Sequence, residues 1–393
     1  MVLEALSQPP IKLVTVGGGD TRLEVGNETV MFRHEEKFFH PCGIGFIIED
    51  NLSDSEISRK IDWINKLKFE RVGQKIEINL MAIRQTKDGQ RFKDAVQLVS
   101  SGTSLSLVLM SDEPAVLKAA LEITRTKRPL IYHATKDNLA AVAQLAKEFN
   151  LPLVVSAPDL DTLSNLTKEL NRQGVTELVL DTEKKNLADK IWDLTQIRRQ
   201  ALRKSNRALG YPVLVLVDNA DPYEEAAEAA TFITKYASIL LMKGTQSWQV
   251  LSLLTLRQNI YTDPQKPLQI EAKLYAIGQV TDKSPVLVTT NFSLSYYTVL
   301  SEVEASKIPV YIVSVDTEGM SVLTAWAAEK FTPDKIAESL EKCEAAKLVS
   351  HKRLIIPGYV AVMSGDLEEK SGWQITVGPK EAAGIPSFLK NLQ

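Results

Sequence analysis

The sequence predicts an α/β protein in which a (β/α)₈ barrel is followed by a small Rossmann-like domain. Two observations support this fold class. Between residues 44 and 242, short runs rich in leucine and β-branched residues are followed by helical patterns eight times. After a break that contains prolines, four more strand-like runs occur towards the C-terminus. Strands that alternate with helices in this way are typical of parallel sheets.

The eight runs of the first part are nearly continuous apolar stretches, as expected of parallel strands that are buried on both faces. They recur about every 28 residues, which matches one strand and one helix per repeat. Eight such units within about 220 residues favour a closed barrel over an open sheet. The predicted strands are residues 44–50, 76–83, 105–110, 129–133, 151–156, 177–181, 212–217 and 238–242.

Two short strands are predicted before the barrel, at residues 12–17 and 29–32, where they could floor or plug it. A glycine cluster, Gly17 to Gly19, lies between them. Glycines after a strand could cradle a phosphate, but the GxGxxG spacing is absent and Asp20 follows. A turn is therefore the favoured interpretation.

The repeat is interrupted after Tyr261, where Pro264 and Pro267 lie close together. A helix is predicted over residues 273–277, and a domain boundary near residue 280. This gives a barrel with its N-terminal strands over residues 1–280 and a Rossmann-like domain over 281–393. The four strands of the second domain are predicted at residues 286–290, 310–315, 353–356 and 374–377. Residues 263–285 are the candidate hinge between the domains.

Composition excludes several classes of protein. With 46 basic and 49 acidic residues, the chain lacks the positive charge typical of a nucleic-acid-binding protein. No apolar run approaches the length of about 18 residues that a membrane span needs. The N-terminus lacks the pattern of a secretory signal, so we expect a cytoplasmic protein. Two distant cysteines, Cys42 and Cys343, exclude a cysteine-rich metal motif within this chain.

Polar residues follow the barrel strands at their carboxyl ends, where parallel sheets place their chemistry. They could form an acid–base site with His133 as the base and Lys243 as the electrophile. The alternative, which we favour, is that they are polar because the loops face water and cap the next helices. The residues are Asp50, Arg84, Asp112, His133, Asp181, Asp218 and Lys243.

Residues 40–43 fit HxxG, a fragment of the DxHxxG pattern that places a histidine beneath a corrinoid cobalt. The position of the aspartate is occupied by Phe38, and the segment precedes the barrel instead of following a Rossmann strand. Coincidence is the favoured interpretation for His40.

The strand ends of the second domain are small, hydroxylated or glycine-rich. They comprise residues 289–297, 316–324, 357–358 and 378–384, and they contain no histidine or cysteine. Such a lining lets the backbone approach a broad ligand and offers neutral hydrogen-bonding groups. These ends predict a site for a neutral cofactor, and tight turns in a small lid domain are the alternative.

Several segments resemble the large subunit of the corrinoid iron–sulfur protein, which is also the gamma subunit of the acetyl-CoA decarbonylase/synthase complex. The resemblance extends from about residue 9 to the C-terminus. The segments are residues 28–34, 194–199, 261–264, 288–294 and 314–324.

The resemblance implies a corrinoid (cobalamin, cobalt) methyl carrier of the Wood–Ljungdahl pathway. In that family, Co(I) accepts a methyl group from methyltetrahydrofolate through a separate methyltransferase and passes it to acetyl-CoA synthase. The implied partners are therefore this methyltransferase, acetyl-CoA synthase and a small barrel subunit that completes a heterodimer. A reductive activator is a further candidate. No catalytic residue is implied for the carrier itself.

The resemblance also implies which residues hold the cofactor. Thr324 would lie beneath the corrinoid ring as a weak hydroxyl and leave the lower face of cobalt without a strong ligand. The other implied residues are Thr289, Ser295, Gly319, Met320, Ser321, Val322 and Ala382. Position at a strand end adds Gly358, Gly378 and Pro379.

One departure from the family is large. Its members begin with a domain whose four cysteines hold a four-iron cluster, whereas this chain has two cysteines. We expect a shortened form that starts at the family's linker and lacks the cluster. Two other functions are weighed beside the carrier. One is a barrel methyltransferase that binds methyl-pterin at Asp181, Asp218 and Lys243, and the other is a structural scaffold.

Overall fold

A computed structural model describes residues 8–184, 186–266 and 268–392. The chain divides into two compact units. Unit 1 comprises Met1–Phe69 and Lys75–Asp263, and unit 2 comprises Glu70–Gln74 and Pro264–Gln393. The division after Asp263 lies earlier than the boundary expected near residue 280. The difference arises because residues 270–277 belong to the fold of unit 2.

Unit 1 contains a nearly closed parallel barrel of eight strands. Each strand of the barrel pairs in parallel with its neighbours in chain order, and the last strand returns to the first. One bridge, between Leu180 and Val213, joins the two edge strands of the sheet. The strands are β3 (Gly43–Glu49), β6 (Leu80–Arg84), β7 (Ser106–Met110), β8 (Leu130–Ala134), β9 (Leu153–Ser156), β10 (Leu178–Asp181), β11 (Leu214–Leu216) and β12 (Ile239–Met242). The predicted barrel and its eight strands are confirmed.

Helices follow the barrel strands and cover the outside of the barrel. The first begins with a capping box, in which the Ser53 side chain and Glu56 satisfy each other's backbone N–H groups, and it buries Ile57, Ile61 and Ile64. The helices are α1 (Asp54–Asn65), α2 (Gly89–Gly102), α3 (Pro114–Thr124), α4 (Leu139–Phe149), α5 (Leu160–Arg172), α6 (Leu187–Arg203), α7 (Pro222–Thr234) and α8 (Ser247–Tyr261). A hairpin of β4 (Lys68–Arg71) and β5 (Gln74–Glu77) precedes β6.

A second hairpin, of β1 (Val14–Val16) and β2 (Leu23–Val25), plugs the end of the barrel where the strands begin. Its apolar side chains join one buried cluster with the barrel-interior residues Leu80, Leu130 and Ile239. The first predicted N-terminal strand is therefore confirmed. The strand predicted at residues 29–32 is wrong, because the Val30 carbonyl accepts a hydrogen bond from Arg198 Nε at 2.9 Å instead of pairing in a sheet.

The glycine cluster forms the turn between β1 and β2. Gly17 adopts φ of +83°, and a Cβ there would lie 2.0 Å from Ser106 Oγ on the barrel. Close approach to the barrel explains this glycine, as the turn interpretation expects.

Unit 2 is built on a five-stranded sheet. Its strands are β13 (Leu274–Ile277), β14 (Val286–Thr290), β15 (Val310–Val315), β16 (Arg353–Ile356) and β17 (Gln374–Val377). They lie in the order β13–β15–β14–β16–β17. The last four strands in sequence are parallel, and β13 pairs with β15 in the antiparallel sense. The four strands expected from sequence are confirmed. The helix predicted at residues 273–277 is wrong, because these residues complete the sheet edge at β15.

This edge strand also restricts the candidate hinge. Much of residues 263–285 is committed to unit 2, because Ile270 donates its N–H to the Asn291 carbonyl at 2.9 Å and β13 pairs along its length. Pro267, one of the two prolines that suggested the hinge, lies outside the described residues.

Helices cover both faces of the sheet in unit 2. Alternate residues of β14 divide between two apolar clusters, with Val286 and Val288 in one and Leu287 in the other. The helices are α9 (Ser293–Ser306), α10 (Val322–Ala327), α11 (Pro333–Lys342), α12 (Ala345–Leu348), α13 (Ser364–Ser371) and α14 (Ile385–Asn391). Within the described ranges, no helix is long and apolar enough to cross a membrane.

A buried arginine ties the last helix of the barrel to its first strands. Arg257, in α8, donates hydrogen bonds to the Cys42 carbonyl at 3.1 Å, the Glu77 carbonyl at 2.7 Å and Asn79 Oδ1 at 2.5 Å. Burial lowers the pKa of its guanidinium, although the group stays charged. Asn79 Oδ1 also accepts from the Ile44 N–H at 3.2 Å, so the Arg257 side chain and the first barrel strand share this acceptor.

We expect Arg257→Met to lower the free energy of unfolding by about 3 kcal/mol, because buried acceptors lose their donor. The matched control is Arg172→Met, since Arg172 is exposed on α5 and pairs with Glu169 in its own helix. Guanidinium denaturation of both variants measures the difference. Equal stability of the two variants would contradict a structural role for the Arg257 network.

Candidate functional site

The candidate site in unit 2 is a cavity of about 310 Å³ at the carboxyl ends of the parallel strands. It lies beside β14, from which the chain order turns to β15 on one side and β16 on the other. Such a switch point is where open α/β sheets bind their ligands. Its walls are mainly apolar and include Leu287, Phe292, Val299, Ile355, Ile385 and Phe388.

Hydroxyl groups supply most of the polarity of this cavity. Thr289 and Ser295 both line it, and neither hydroxyl has a hydrogen-bond partner within the part of the chain that the structure describes. Ser321 Oγ lies 3.0 Å from Thr324 Oγ1. The cavity thus offers uncommitted hydrogen-bonding groups on an apolar wall.

Seven of the eleven residues expected to hold a cofactor line this cavity, and four do not. The seven are Thr289, Ser295, Ser321, Val322, Gly378, Pro379 and Ala382. Of the other four, Thr324 is exposed on α10, Met320 packs against the apolar core of unit 2, and Gly319 and Gly358 are buried.

Gly319 and Gly358 shape the loops around the cavity. Gly319 has φ of +75°, a conformation that favours glycine. A Cβ on Gly358 would lie 2.6 Å from the Gly378 carbonyl oxygen, so only glycine lets the loops after β16 and β17 approach this closely. The Gly358 N–H donates to the Pro379 carbonyl at 3.0 Å and holds these loops together.

Asn291 organises the remaining loop, and it was missed as a site residue from the sequence. Its buried Oδ1 accepts hydrogen bonds from the Thr317 N–H, the Thr317 hydroxyl and the Gly319 N–H, at 3.0, 3.1 and 3.0 Å. Its Nδ2 donates to Asp316 Oδ1 at 3.0 Å. The one side chain therefore fixes the turn that leads to Ser321. The feature of the sequence that could have identified Asn291 is its position directly after β14.

Exposed apolar side chains occur on the loops and helices around the strand ends of unit 2. Leu294 and Tyr359 line the cavity and are 66% and 44% exposed. Leu323 and Val362, which follow β15 and β16 in the chain, and Val377, at the end of β17, are also exposed. Apolar residues at this density on strand-end loops are typical of a surface that a ligand or partner covers.

The barrel rim, by contrast, carries side chains of opposite charge that form ion pairs with one another. Lys243 Nζ lies 3.0 Å from Asp218 Oδ1 and 3.1 Å from Glu49 Oε1, and Arg84 lies 3.5 Å from Asp218 Oδ2. Burial opposes ionisation of Asp218, but Lys243 and Arg84 hold its pKa below the usual value. Burial likewise opposes the charge of Lys243, whose carboxylate partners nevertheless raise its pKa. These ion pairs occupy three of the seven predicted rim residues.

Three further rim residues, Asp181, His133 and Asp112, form a chain of polar contacts, and Asp181 lines a cavity of about 560 Å³. Asp181 Oδ2 accepts from the Tyr132 hydroxyl at 2.7 Å and from Ser156 Oγ at 3.4 Å. Ser156 Oγ also lies 3.1 Å from His133 Nδ1, and Asp112 lies 3.4 Å from His133 Nε2. Burial, followed by the charge of Asp181, raises the pKa of Tyr132. This arrangement holds the Asp181 carboxylate firmly.

The seventh rim residue, Asp50, is a structural carboxylate. It is fully buried, and its Oδ1 accepts hydrogen bonds from the Thr86 N–H at 2.7 Å and the Thr86 hydroxyl at 2.6 Å. These contacts anchor the loop after β6. Asp50 therefore neither faces water nor caps the helix that follows its strand, whose N-cap is Ser53, and the capping interpretation is wrong for this residue.

Metal-binding groups are sparse in both units. Among the residues that the structure describes, no three His, Cys, Asp or Glu side chains are grouped as a metal site. Cys42 lies in the barrel core, where burial raises the pKa of its thiol to about 12. The backbone N–H of His40 donates to Glu28 Oε1 at 3.3 Å, in the loop before β3. The HxxG segment therefore lies in the loop that leads into β3, the first strand of the barrel.

Comparison with known proteins gives strong matches over nearly the whole chain. Residues 13–389 match the family described as the CO dehydrogenase/acetyl-CoA synthase delta subunit. The corrinoid/iron-sulfur protein large subunit of Moorella thermoacetica is 46% identical over 389 residues, which cover 99% of this chain and 87% of that protein. The acetyl-CoA decarbonylase/synthase complex subunit gamma of Methanothermobacter thermautotrophicus is 34% identical, with 99% and 88% covered. A solved dihydropteroate synthase from Xanthomonas albilineans is 18% identical, with a TM-score of 0.41 over 57% of this chain and 95% of that chain.

We expect Asn291→Ala to speed hydrogen exchange at the backbone amides of Thr317 and Gly319, because both lose their acceptor. Loss of a buried acceptor that serves three donors lowers the free energy of unfolding by about 1–3 kcal/mol. Exchange followed by mass spectrometry measures the local effect.

The matched control is Asn219→Ala, since Asn219 contacts Glu224 and Glu228 at the barrel. Its exchange at residues 316–321 should equal that of the wild type. Unchanged exchange in Asn291→Ala would show that other contacts hold the loop.

Proposed function

The chain belongs to the family that includes the corrinoid/iron-sulfur protein large subunit, and from this we propose that it is a corrinoid-dependent methyl carrier of the Wood–Ljungdahl pathway. The observation that supports the proposal most directly is the cavity of unit 2. It lies at the carboxyl ends of parallel strands, and two of its hydroxyl groups, those of Thr289 and Ser295, are uncommitted. The carrier is a component of a methyltransferase system and has no catalytic residue of its own.

In this proposal, unit 2 is a Rossmann-like corrinoid-binding domain. The cavity of about 310 Å³ is too small to enclose a whole corrinoid, so we assign it to the nucleotide tail of the cofactor. The chemistry of the walls fits an aromatic base and its sugar, because apolar side chains alternate with hydroxyl groups. The exposed Leu294, Leu323 and Val362 would contact the ring.

The residues of the chain bind and orient the cofactor. Thr289 and Ser295, which line the cavity, would donate hydrogen bonds to its polar periphery. Asn291 fixes the turn of Gly319, Met320 and Ser321, and Thr324 offers a weak hydroxyl from the first turn of α10. When bound, the corrinoid supplies a low-valent cobalt nucleophile that takes up a methyl group and later releases it.

The absence of a strong ligand suits this chemistry. His351 is the histidine of unit 2, and its Nε2 donates to the Ser284 carbonyl at 3.1 Å. Ser284 precedes β14, so His351 lies at the opposite end of the sheet from the cavity. A site without a nitrogen donor would favour reduction of a bound cobalt, because a nitrogen donor stabilises its higher oxidation states.

The proposed partners are a small barrel subunit, a methyltetrahydrofolate methyltransferase, acetyl-CoA synthase and a reductive activator. The exposed apolar mouth of the cavity supports a partner on this face, since such a surface is stabilised when it is covered. The family's four-iron cluster does not fit the residues present, because the sequence has two cysteines and Cys42 is buried in the barrel core.

The methyl-pterin and scaffold alternatives have less support. Asp218 and Lys243, which were candidates for a pterin site, already pair with each other. Asp181 is occupied by Tyr132 and Ser156. Titration with methyltetrahydrofolate in the absence of any methyltransferase would show whether the rim binds it.

We expect the protein to bind cobalamin and to show the visible absorption of a bound corrinoid. Thr289→Val should weaken the affinity about fivefold, because one hydrogen bond to the cofactor is worth about 1 kcal/mol. Thr298→Val is the matched control, since that threonine also lines the cavity but donates its hydroxyl to the Leu294 carbonyl at 2.7 Å. A protein that cannot be loaded with cobalamin, alone or with the small subunit, would falsify the proposed function.

We also expect the bound cobalt to lack a nitrogen ligand. The Co(II) paramagnetic resonance spectrum of the loaded protein should show no nitrogen superhyperfine splitting, because His351 lies at the far end of the sheet. His351→Gln should leave the spectrum unchanged. A nitrogen splitting that disappears in this variant would contradict the proposed orientation of the site.

A further inference from the structure

One charged side chain stands out in the lining of the unit 2 cavity. Among the described residues that form its walls, Lys380 is the only charged one, and it is exposed. Its ammonium group makes no ion pair or hydrogen bond with any residue that the structure describes. The lining of apolar and hydroxyl groups therefore includes one charged side chain, a lysine that makes no ion pair.

The backbone places this lysine firmly. The Gly378 N–H donates to the Ile356 carbonyl at 2.9 Å, and the Gly358 N–H donates to the Pro379 carbonyl at 3.0 Å. A Cβ on Gly358 would lie 2.8 Å from the Lys380 backbone nitrogen, so the two strand-end loops are in close contact here. The stem of Lys380 thus starts from a fixed point at the cavity wall.

The nearest acidic neighbour in sequence, Glu381, makes no ion pair with this lysine. Its Oε1 accepts a hydrogen bond from the Tyr359 hydroxyl. The ammonium group of Lys380 can therefore contact a ligand in the cavity without first breaking an ion pair.

We propose that Lys380 binds the phosphodiester in the nucleotide tail of the corrinoid and so selects corrinoids that carry a complete tail. This inference rests on the proposed function. The amide side chains of a corrinoid are neutral, and the phosphodiester is the anionic group of its tail. An ammonium beside an apolar cavity attracts such an anion more strongly than it would in open solvent.

The experiment compares two probes, cob(II)alamin and cob(II)inamide, the second of which lacks the phosphate, sugar and base. Affinities are measured anaerobically by absorbance titration of the full chain together with its small subunit. Lys380→Met removes the charge and keeps the length of the stem. It should weaken cob(II)alamin binding about fivefold, the size expected for one exposed ion pair, and should leave cob(II)inamide binding unchanged.

Two further variants serve as controls. Lys380→Arg keeps the charge and should retain most of the affinity for cob(II)alamin. Lys390→Met removes an exposed lysine of α14 that is outside the cavity lining, and it should behave as the wild type. Higher salt should weaken cob(II)alamin binding in the wild type more than in Lys380→Met, because screening acts on the pair.

The outcomes separate this inference from the proposed function. If the wild type binds neither probe, the proposed function fails, and this inference fails with it. If the wild type binds cob(II)alamin and Lys380→Met binds it equally well, the phosphodiester role is wrong while the carrier proposal stands. An equal loss for both probes would also overturn it, since Lys380 would then contact the ring or the small subunit.

Discussion

Burial of parallel strands on both faces is the constraint from which the rest of the structure follows. The barrel strands are apolar along nearly their whole length, and alternate residues of β14 enter the two apolar clusters of unit 2. A strand buried in this way has no exposed face for chemistry. Polar and hydroxylated residues are therefore confined to the strand ends, where the loops meet.

The two units use their strand ends differently. At the barrel rim, Glu49, Arg84, Asp218 and Lys243 compensate one another, so that the charges are satisfied without a ligand. In unit 2 the cavity lining carries Thr289 and Ser295, whose hydroxyls are uncommitted, and one charged side chain, Lys380, which makes no ion pair with the described residues. A site whose groups remain unpaired has interactions left to offer a ligand, and this difference favours unit 2 as the binding site.

The loops of unit 2 are held by backbone contacts that depend on a few residues. The amides of Thr317 and Gly319 lie beyond the end of β15 and donate to the Asn291 side chain instead of to a neighbouring strand. Gly358 allows the loops after β16 and β17 to approach each other closely, because it has no Cβ. These residues contact the cavity only indirectly. They fix the positions of Ser321 and Lys380, and a site for a large cofactor needs such fixed positions because each hydrogen bond contributes little by itself.

The sequence by itself determined the barrel, because its eight strands are apolar runs at a regular spacing. A local pattern of this kind predicts strand and helix directly, without knowledge of distant contacts. It also determined which loops form the cavity, since parallel strands bring their carboxyl ends together. Only the tertiary structure decided the secondary structure of residues 274–277. They form a strand because the backbone groups at the outer edge of β15 are available for hydrogen bonds. The same is true of residues 29–32, where Arg198 supplies the partner, and of Asn291, whose role appears when three donors from a distant loop converge on it. Such contacts join residues that are far apart in the chain, and no local pattern encodes them.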